Sequence, residues 1–229
     1  MRKICQKYNI GDPLTLLQSD PESKSKWRKR TKEAITAYHD NLLHQNSMTN
    51  SKMEFLNGTN LSVSGPPHPV LRNVTVAHDV MKLRVQVRFL TGDYLTYSLD
   101  HTHGNGKSPH CRLCSNVDSS PDETVTHIIS QCAALQDVRN RLFPEILDLI
   151  HLLFPDDKNQ NSVLLQDPKI QTQYILDCTS PNLPKSLTVP MKDLEKTCRA
   201  FKVTRDFCYA IHKERIRKLN LLKDLSNRH

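Results

Sequence analysis

Four residues of this 229-residue chain, Cys111, Cys114, His127 and Cys132, stand in a C-x2-C-x12-H-x4-C array whose types and spacing suit a single zinc ion. Two thiols three residues apart can face one ion from a tight turn, and the ring of His127 with the thiol of Cys132 can complete the set. On an ideal helix, residues five apart point about 140° away from each other, so Cys132 is expected at or just past a helix end. Four protein ligands leave no open position for water. The array therefore reads as a structural clamp and not as a reaction centre.

Two other readings of the cysteines stay open at this level. Cysteines are common small core residues, and a C-x2-C pair can be a redox motif. A thioredoxin-like site would need a strand before the pair and a helix starting on it, whereas this pair sits in Pro109-His-Cys-Arg-Leu-Cys-Ser-Asn, followed by a polar loop with Pro121. Among neighbouring histidines, His110, His101 and His103 are alternative ligands. Seven cysteines, an odd number, argue against a disulfide scaffold; Cys5, Cys178, Cys198 and Cys208 look like scattered thiols.

Charge is the second signal. A formal net charge of +8 attracts polyanions, and contacts from Lys and Arg to phosphates supply most sequence-independent nucleic-acid affinity. The charge is clustered: six basic residues against one acid from Glu22 to Lys32, and twelve against five from Lys185 to the end. Lysine-rich helix faces also serve solubility alone, which is the plain alternative. Apolar content is 37%, with one Trp and six Phe, so a thin or loop-interrupted core is expected. No stretch approaches the roughly 20 apolar residues of a membrane span, and the amino end lacks a signal-peptide core, which together suggest a reducing, intracellular setting.

The elements that must position these groups read as follows. Ser23 can cap a helix running to about Asn46, with Trp27, Ile35, Tyr38 and Leu42 on one face and Arg28, Lys29 and Lys32 toward solvent. Residues 47–75, with Gly58, Gly65, Pro66, Pro67 and Pro69, read as an irregular connector. From Ala77 to Leu90 the residues alternate apolar and polar, the pattern of a half-exposed strand, yet Ala77, Met81, Val85 and Phe89 also form a helical column; periodicity alone favours the strand. Thr91-Gly92 ends the element either way. A short helix over Glu123 to Ser130 should deliver His127. Leu135, Val138, Leu142 and Ile146 continue a helical stripe with a kink or break at Pro144. Residues 151–190 read as a proline-punctuated linker. A final amphipathic helix, about Met191 to Leu222, carries Lys213, Arg217 and Lys218 on its polar side.

Several of these segments resemble the carboxyl-terminal region that follows the polymerase in reverse transcriptases of non-long-terminal-repeat retrotransposons. The similar text is Val80-Met-Lys-Leu-Arg-Val-Gln-Val-Arg-Phe-Leu-Thr-Gly-Asp-Tyr94, then Cys111-Arg-Leu-Cys114, then Glu123-Thr-Val-Thr-His127-Ile-Ile-Ser-Gln-Cys132 and Arg139. It covers about residues 22–145. The resemblance implies an accessory module that helps a polymerase hold template RNA or target DNA, with Cys111, Cys114, His127 and Cys132 as metal ligands and Lys82, Arg84 and Arg88 as phosphate contacts. It also turns the reading of 77–90 from strand to helix, and it implies a nuclear place for the protein, with the cytoplasm as the alternative.

Catalytic signatures are missing. Asp156-Asp157 with Lys158 follows a proline in a polar turn, a poor arrangement for two metals about 4 Å apart, and no phosphate loop, G-x-S-x-G elbow or H-E-x-x-H helix occurs. The expectation is a mainly α protein built around a zinc knuckle: a basic helical region and connector over 1–76, the knuckle module over 77–150, a linker over 151–190 and a basic helix over 191–229. It should bind RNA or DNA without catalysis, as a fragment, remnant or domesticated descendant, through Arg28, Lys29, Arg30, Lys82, Arg84, Arg88, Lys213, Arg217 and Lys218. A polymerase or other protein subunit is a further expected partner. The rival expectation is a structural module that docks on another protein through its carboxyl-terminal helix.

Overall fold

The computed structural model describes residues 2–18, 22–49, 53–56, 65, 67–71, 74, 76–96, 108–114, 120–155, 164 and 166–226. They are mainly helical, and the only β pairing among them is one antiparallel bridge between His110 and Asp122. No helix among them is long and apolar enough to cross a membrane. The chain divides into two compact units: Met1–Ser51 with Gly58–His68, and Lys52–Asn57 with Pro69–His229.

The first unit holds α1 (Arg2–Lys7), α2 (Pro13–Gln18) and α3 (Lys24–Thr49). Ser23 caps α3 as its sequence suggests, its hydroxyl accepting from the Lys26 amide at 3.3 Å. Asp12 does the same for α2, accepting from the Leu14 amide. The side of α3 expected to be apolar is only half-buried at Trp27, Ile35 and Tyr38, and Leu42 is exposed. Tyr8 meets Tyr38 edge-on at 5.1 Å, with the Lys7 ammonium over both rings.

The second unit is built on α7 (Leu194–Ser226), against which α4 (Ala77–Leu90), α5 (Gln136–Leu153) and α6 (Pro168–Leu176) all pack. Phe201, Phe207, Cys208 and Ile211 of α7 meet this core, which also buries Phe89, Ile128, Ile146, Ile150 and Tyr174. Such enclosure is worth roughly 1.5–3 kcal/mol per large apolar side chain.

Residues 77–90 are a helix. The alternation that suggests a strand misleads because two of its polar members point inward. Gln86 is fully buried and donates to the Ile175 carbonyl at 3.2 Å and the Thr204 hydroxyl at 3.1 Å. Lys82, mostly covered, pairs with Asp206 of α7. Gly92, at φ 70°, takes the left-handed conformation that ends α4, and the Tyr94 amide then returns to the Arg88 carbonyl at 3.0 Å.

The break expected at Pro144 does not occur: α5 runs continuously past it, the missing amide costs one hydrogen bond, and Val138, Ile146 and Ile150, buried on either side of it, keep the helix docked. Much of the segment read as a linker is core: Leu164, Tyr174, Ile175, Leu176, Cys178, Leu187 and Val189 are all inaccessible. Its prolines mark tight turns and a helix start, with Asp167 capping α6 through the Lys169 amide at 2.7 Å and Pro168 in the first turn. Asp156, Asp157 and Lys158 lie outside the described residues, as do His101 and His103.

Candidate metal centre

Cys111, Cys114, His127 and Cys132 converge. Their ligand atoms all lie within 4.8 Å of one another, and all four residues are buried. The cluster can hold a metal ion.

The donors are placed in two pairs, each by its own local device. The Cys111 amide donates to the Pro121 carbonyl at 2.9 Å and the Glu123 amide to the Pro109 carbonyl at 2.9 Å, which flattens this stretch into the short His110–Asp122 bridge. The chain then tightens into a 3₁₀ turn over Arg112–Cys114, closed by the Cys114 amide on the Cys111 carbonyl at 3.1 Å. That turn brings the first two sulfurs to one side.

The second pair uses a π-turn over His127–Gln131, in which the Cys132 amide bonds the His127 carbonyl at 2.6 Å. A wider i→i+5 turn compensates the about 140° by which an α-helix would separate residues five apart. Cys132 itself caps the turn in an extended conformation, at φ −57° and ψ 113°, as its spacing requires. The result puts Cys114 Sγ 3.6 Å from His127 Nε2 and 3.6 Å from Cys132 Sγ, with Cys111 Sγ 3.9 Å from Cys132 Sγ. No described cysteine is in a disulfide.

The hydrogen bond to Cys132, aided by burial, pushes the Cys111 thiol to about 12, while the same bond lowers Cys132. His110 is not part of the cluster; its Nδ1 pairs with Asp122 at 3.0 Å on the surface.

Two groups around the cluster lie outside the spacing that marks the four donors. Arg139 is buried and donates to the Cys132 carbonyl at 2.5 Å and to Gln136 at 2.8 Å. Burial lowers its pKa, while the neighbouring Cys132 and Cys114 act in the opposite direction. Arg215 and Glu123 form a buried ion pair, with Arg215 Nε 2.9 Å from the carboxylate and the guanidinium also donating to the Leu95 carbonyl at 3.3 Å. Burial opposes the Arg215 charge, but Tyr94 and Glu123 outweigh it and hold the guanidinium above its ordinary value. The pair ties the segment leading into the π-turn to α7. Arg215 falls in register with the apolar Cys208, Ile211 and Leu219, and that placement is the one hint the chain offers.

The residues expected to meet phosphates are dispersed. Arg28, Lys29 and Arg30 lie on α3 in the first unit; Lys82, Arg84 and Arg88 lie on α4 and Lys213, Arg217 and Lys218 on α7 in the second. Several already face carboxylates or rings. Arg30 pairs with Glu22 at 3.0 Å and stacks over Trp27, and Lys82 pairs with Asp206 at 2.5 Å. Arg217 forks onto Glu214 at 2.6 and 2.8 Å, with Lys218 3.8 Å from the same carboxylate. Arg28, Arg84 and Arg88 are exposed.

Comparison with known proteins adds no relative. No family model matches the chain, no curated protein is detectably similar, and no solved structure matches.

Proposed function

We propose that this chain is a non-catalytic, zinc-stabilised module that binds nucleic acid, of the kind found after the polymerase in non-long-terminal-repeat reverse transcriptases. The observation that carries the reading is the size and closure of the Cys111, Cys114, His127, Cys132 cluster within a chain of net charge +8. A zinc tetrahedron with bonds of about 2.3 Å to sulfur has S–S edges of about 3.8 Å, and an S–N edge of about 3.6 Å. Here Cys114 Sγ lies 3.6 Å from Cys132 Sγ and 3.6 Å from His127 Nε2, Cys111 Sγ lies 3.9 Å from Cys132 Sγ, and all four donors fall within 4.8 Å of one another. The fit supports zinc. Three thiolates around a dication leave one negative charge, and the buried Arg139 beside Cys132 and Cys114 offsets it.

Zinc, when bound, supplies a crosslink between the Arg112–Cys114 turn and the π-turn. The burial of all four donors leaves no position for a substrate, which supports a structural role over a catalytic one. The motif text around the ligands supports the retrotransposon reading, and the basic groups that remain exposed on α3 and α4 support RNA or DNA as the partner. A nuclear location belongs with that partner.

The rival reading, docking through the carboxyl-terminal helix, keeps little surface. The apolar side of α7 meets α4, α5 and α6, and among its described residues beyond the first turn the exposed large apolar ones are Ile216, Leu221 and Leu222.

The test is twofold. Elemental analysis of protein purified without added metal should give about one zinc per chain, and the protein should bind RNA or DNA with an affinity that falls steeply with salt. A zinc-loaded protein with no salt-dependent affinity for either polymer would overturn the nucleic-acid reading and leave the clamp.

A further inference from the structure

Near the metal cluster, the second unit carries an open pocket of about 530 Å³ between the end of α4, residues 94–96, the knuckle turn and the outer part of α7. The geometry points to this cavity as the seat for one unpaired nucleotide of a single-stranded nucleic acid, with its phosphates on the rim and its base against an aliphatic wall. The inference rests on the nucleic-acid reading above and gives it a place and a strand form.

Three exposed cations form the rim. Arg88 comes from the last turn of α4, Lys223 from the end of α7, and Arg112 from between the ligands Cys111 and Cys114. None of the described residues lining the cavity is acidic. Arg215 also reaches it from the floor, where the buried carboxylate of Glu123 holds it.

A purely electrostatic site would not need the rest of the lining. Leu95 is 66% exposed and Ile216 39%, and together with Leu219 they give the cavity an apolar wall within reach of the cations. A duplex presents mainly phosphate and sugar to such a wall, whereas an unpaired base presents a flat apolar face. Tyr94 is not the stacking platform, because it is buried and already stacked on Phe89 at a centroid distance of 3.7 Å. The base is therefore expected to lie on Leu95 and Ile216. The volume lies within the range of pockets that enclose small organic groups, about 300–1,000 Å³.

Arg112 makes the seat depend on the metal. It sits inside the three-residue turn that the first two ligands close, so whatever orders that turn also aims Arg112.

The experiment uses the full zinc-loaded chain and measures binding of a single-stranded oligoribonucleotide and of a blunt duplex of equal length over a salt series. Replacing Arg88→Gln with Lys223→Gln should weaken single-strand binding and reduce the slope of log K against log salt by about 1.4, since each phosphate contact contributes about 0.7 on a single strand. Ile216→Ser should lower single-strand affinity several-fold while leaving the salt slope and the duplex affinity unchanged. Leu95→Ser, at a more exposed position, repeats that test if Ile216→Ser melts early. Wild-type protein that binds single strands while none of these variants changes its affinity overturns the seat and leaves the nucleic-acid reading intact. Equal losses on single strand and duplex in Ile216→Ser and Leu95→Ser overturn the unpaired-base assignment. If the wild type binds neither polymer at low salt, the nucleic-acid reading fails and the seat with it.

Discussion

The metal cluster and the basic run of α3 both stand out in the amino-acid sequence, yet they have opposite physical characters. The cluster is buried, and each of its donors is held by backbone hydrogen bonds that fix its direction. The run from Lys24 to Lys32 is exposed or half-buried, and where it has partners they are local, such as Glu22 for Arg30 and Glu33 for Lys29 at 4.0 Å. A coordination set works only at one geometry, so its residues must be enclosed. A charged surface works through the sum of its field, so its members need no fixed place. Mutations should accordingly separate the two regions by their effect on folding.

The largest effect is expected from the ligands. Cys111→Ser combined with Cys132→Ser should abolish metal binding and lower the melting temperature of the second unit sharply, because structural zinc contributes an apparent about 10–16 kcal/mol in small domains. An unchanged melting curve and metal content would remove the clamp from the account. The same site predicts a pH dependence. The Cys111 thiol, held at about 12 without metal, is protonated at neutral pH, so zinc must displace that proton. Apparent zinc affinity should therefore rise with pH and weaken by at least about tenfold for each unit lost, a slope that competition with a chelator measures.

Next comes the buried ion pair. Glu123→Gln leaves the Arg215 charge enclosed with no carboxylate, and should cost about 3–5 kcal/mol in denaturant unfolding. Glu214→Gln removes a carboxylate with equally good geometry at the surface, and should leave the unfolding midpoint in place. Similar costs for the two would mean that burial does not govern these pairs.

A smaller, more specific effect is expected at Arg139→Met. The side chain volume is nearly kept, while the cation beside Cys132 and Cys114 is lost, and zinc affinity should fall about 10–100-fold with the fold retained. A loss of stability with unchanged zinc affinity would recast Arg139 as a packing residue.

The smallest effect on folding belongs to α3. Arg28→Gln with Lys29→Gln should leave thermal unfolding unchanged and, if this face meets phosphates, should lower the salt slope of nucleic-acid binding by somewhat under one unit per charge. No change in slope would assign the run to solubility.

How far the chain could be read in advance follows the same division. The convergence of Cys111, Cys114, His127 and Cys132 was legible because a set that can hold a metal ion needs particular atoms at short separations, and that need shows directly in residue type and spacing. The placement of Cys132 past a turn was legible for the same reason, although only the folded chain reveals that the turn is a π-turn. The strand-like pattern of 77–90 and the proline-rich look of 164–190 misled, because periodicity assumes that polar residues face water. The Gln86 amide finds the Thr204 hydroxyl inside, and the turns around Cys178 are closed by their own bonds, such as the Val189 amide on the Cys178 carbonyl at 2.8 Å.

By itself, then, the sequence determined the donor set, the caps at Ser23 and Asp167 and the helical ends at Gly92, all of which depend on atoms a few residues apart. Tertiary structure alone decided which charges are available and which are matched. Lys82 finds Asp206 across 124 positions and Arg215 finds Glu123 across 92, and contacts of that span depend on how α7 is surrounded, which no local pattern encodes.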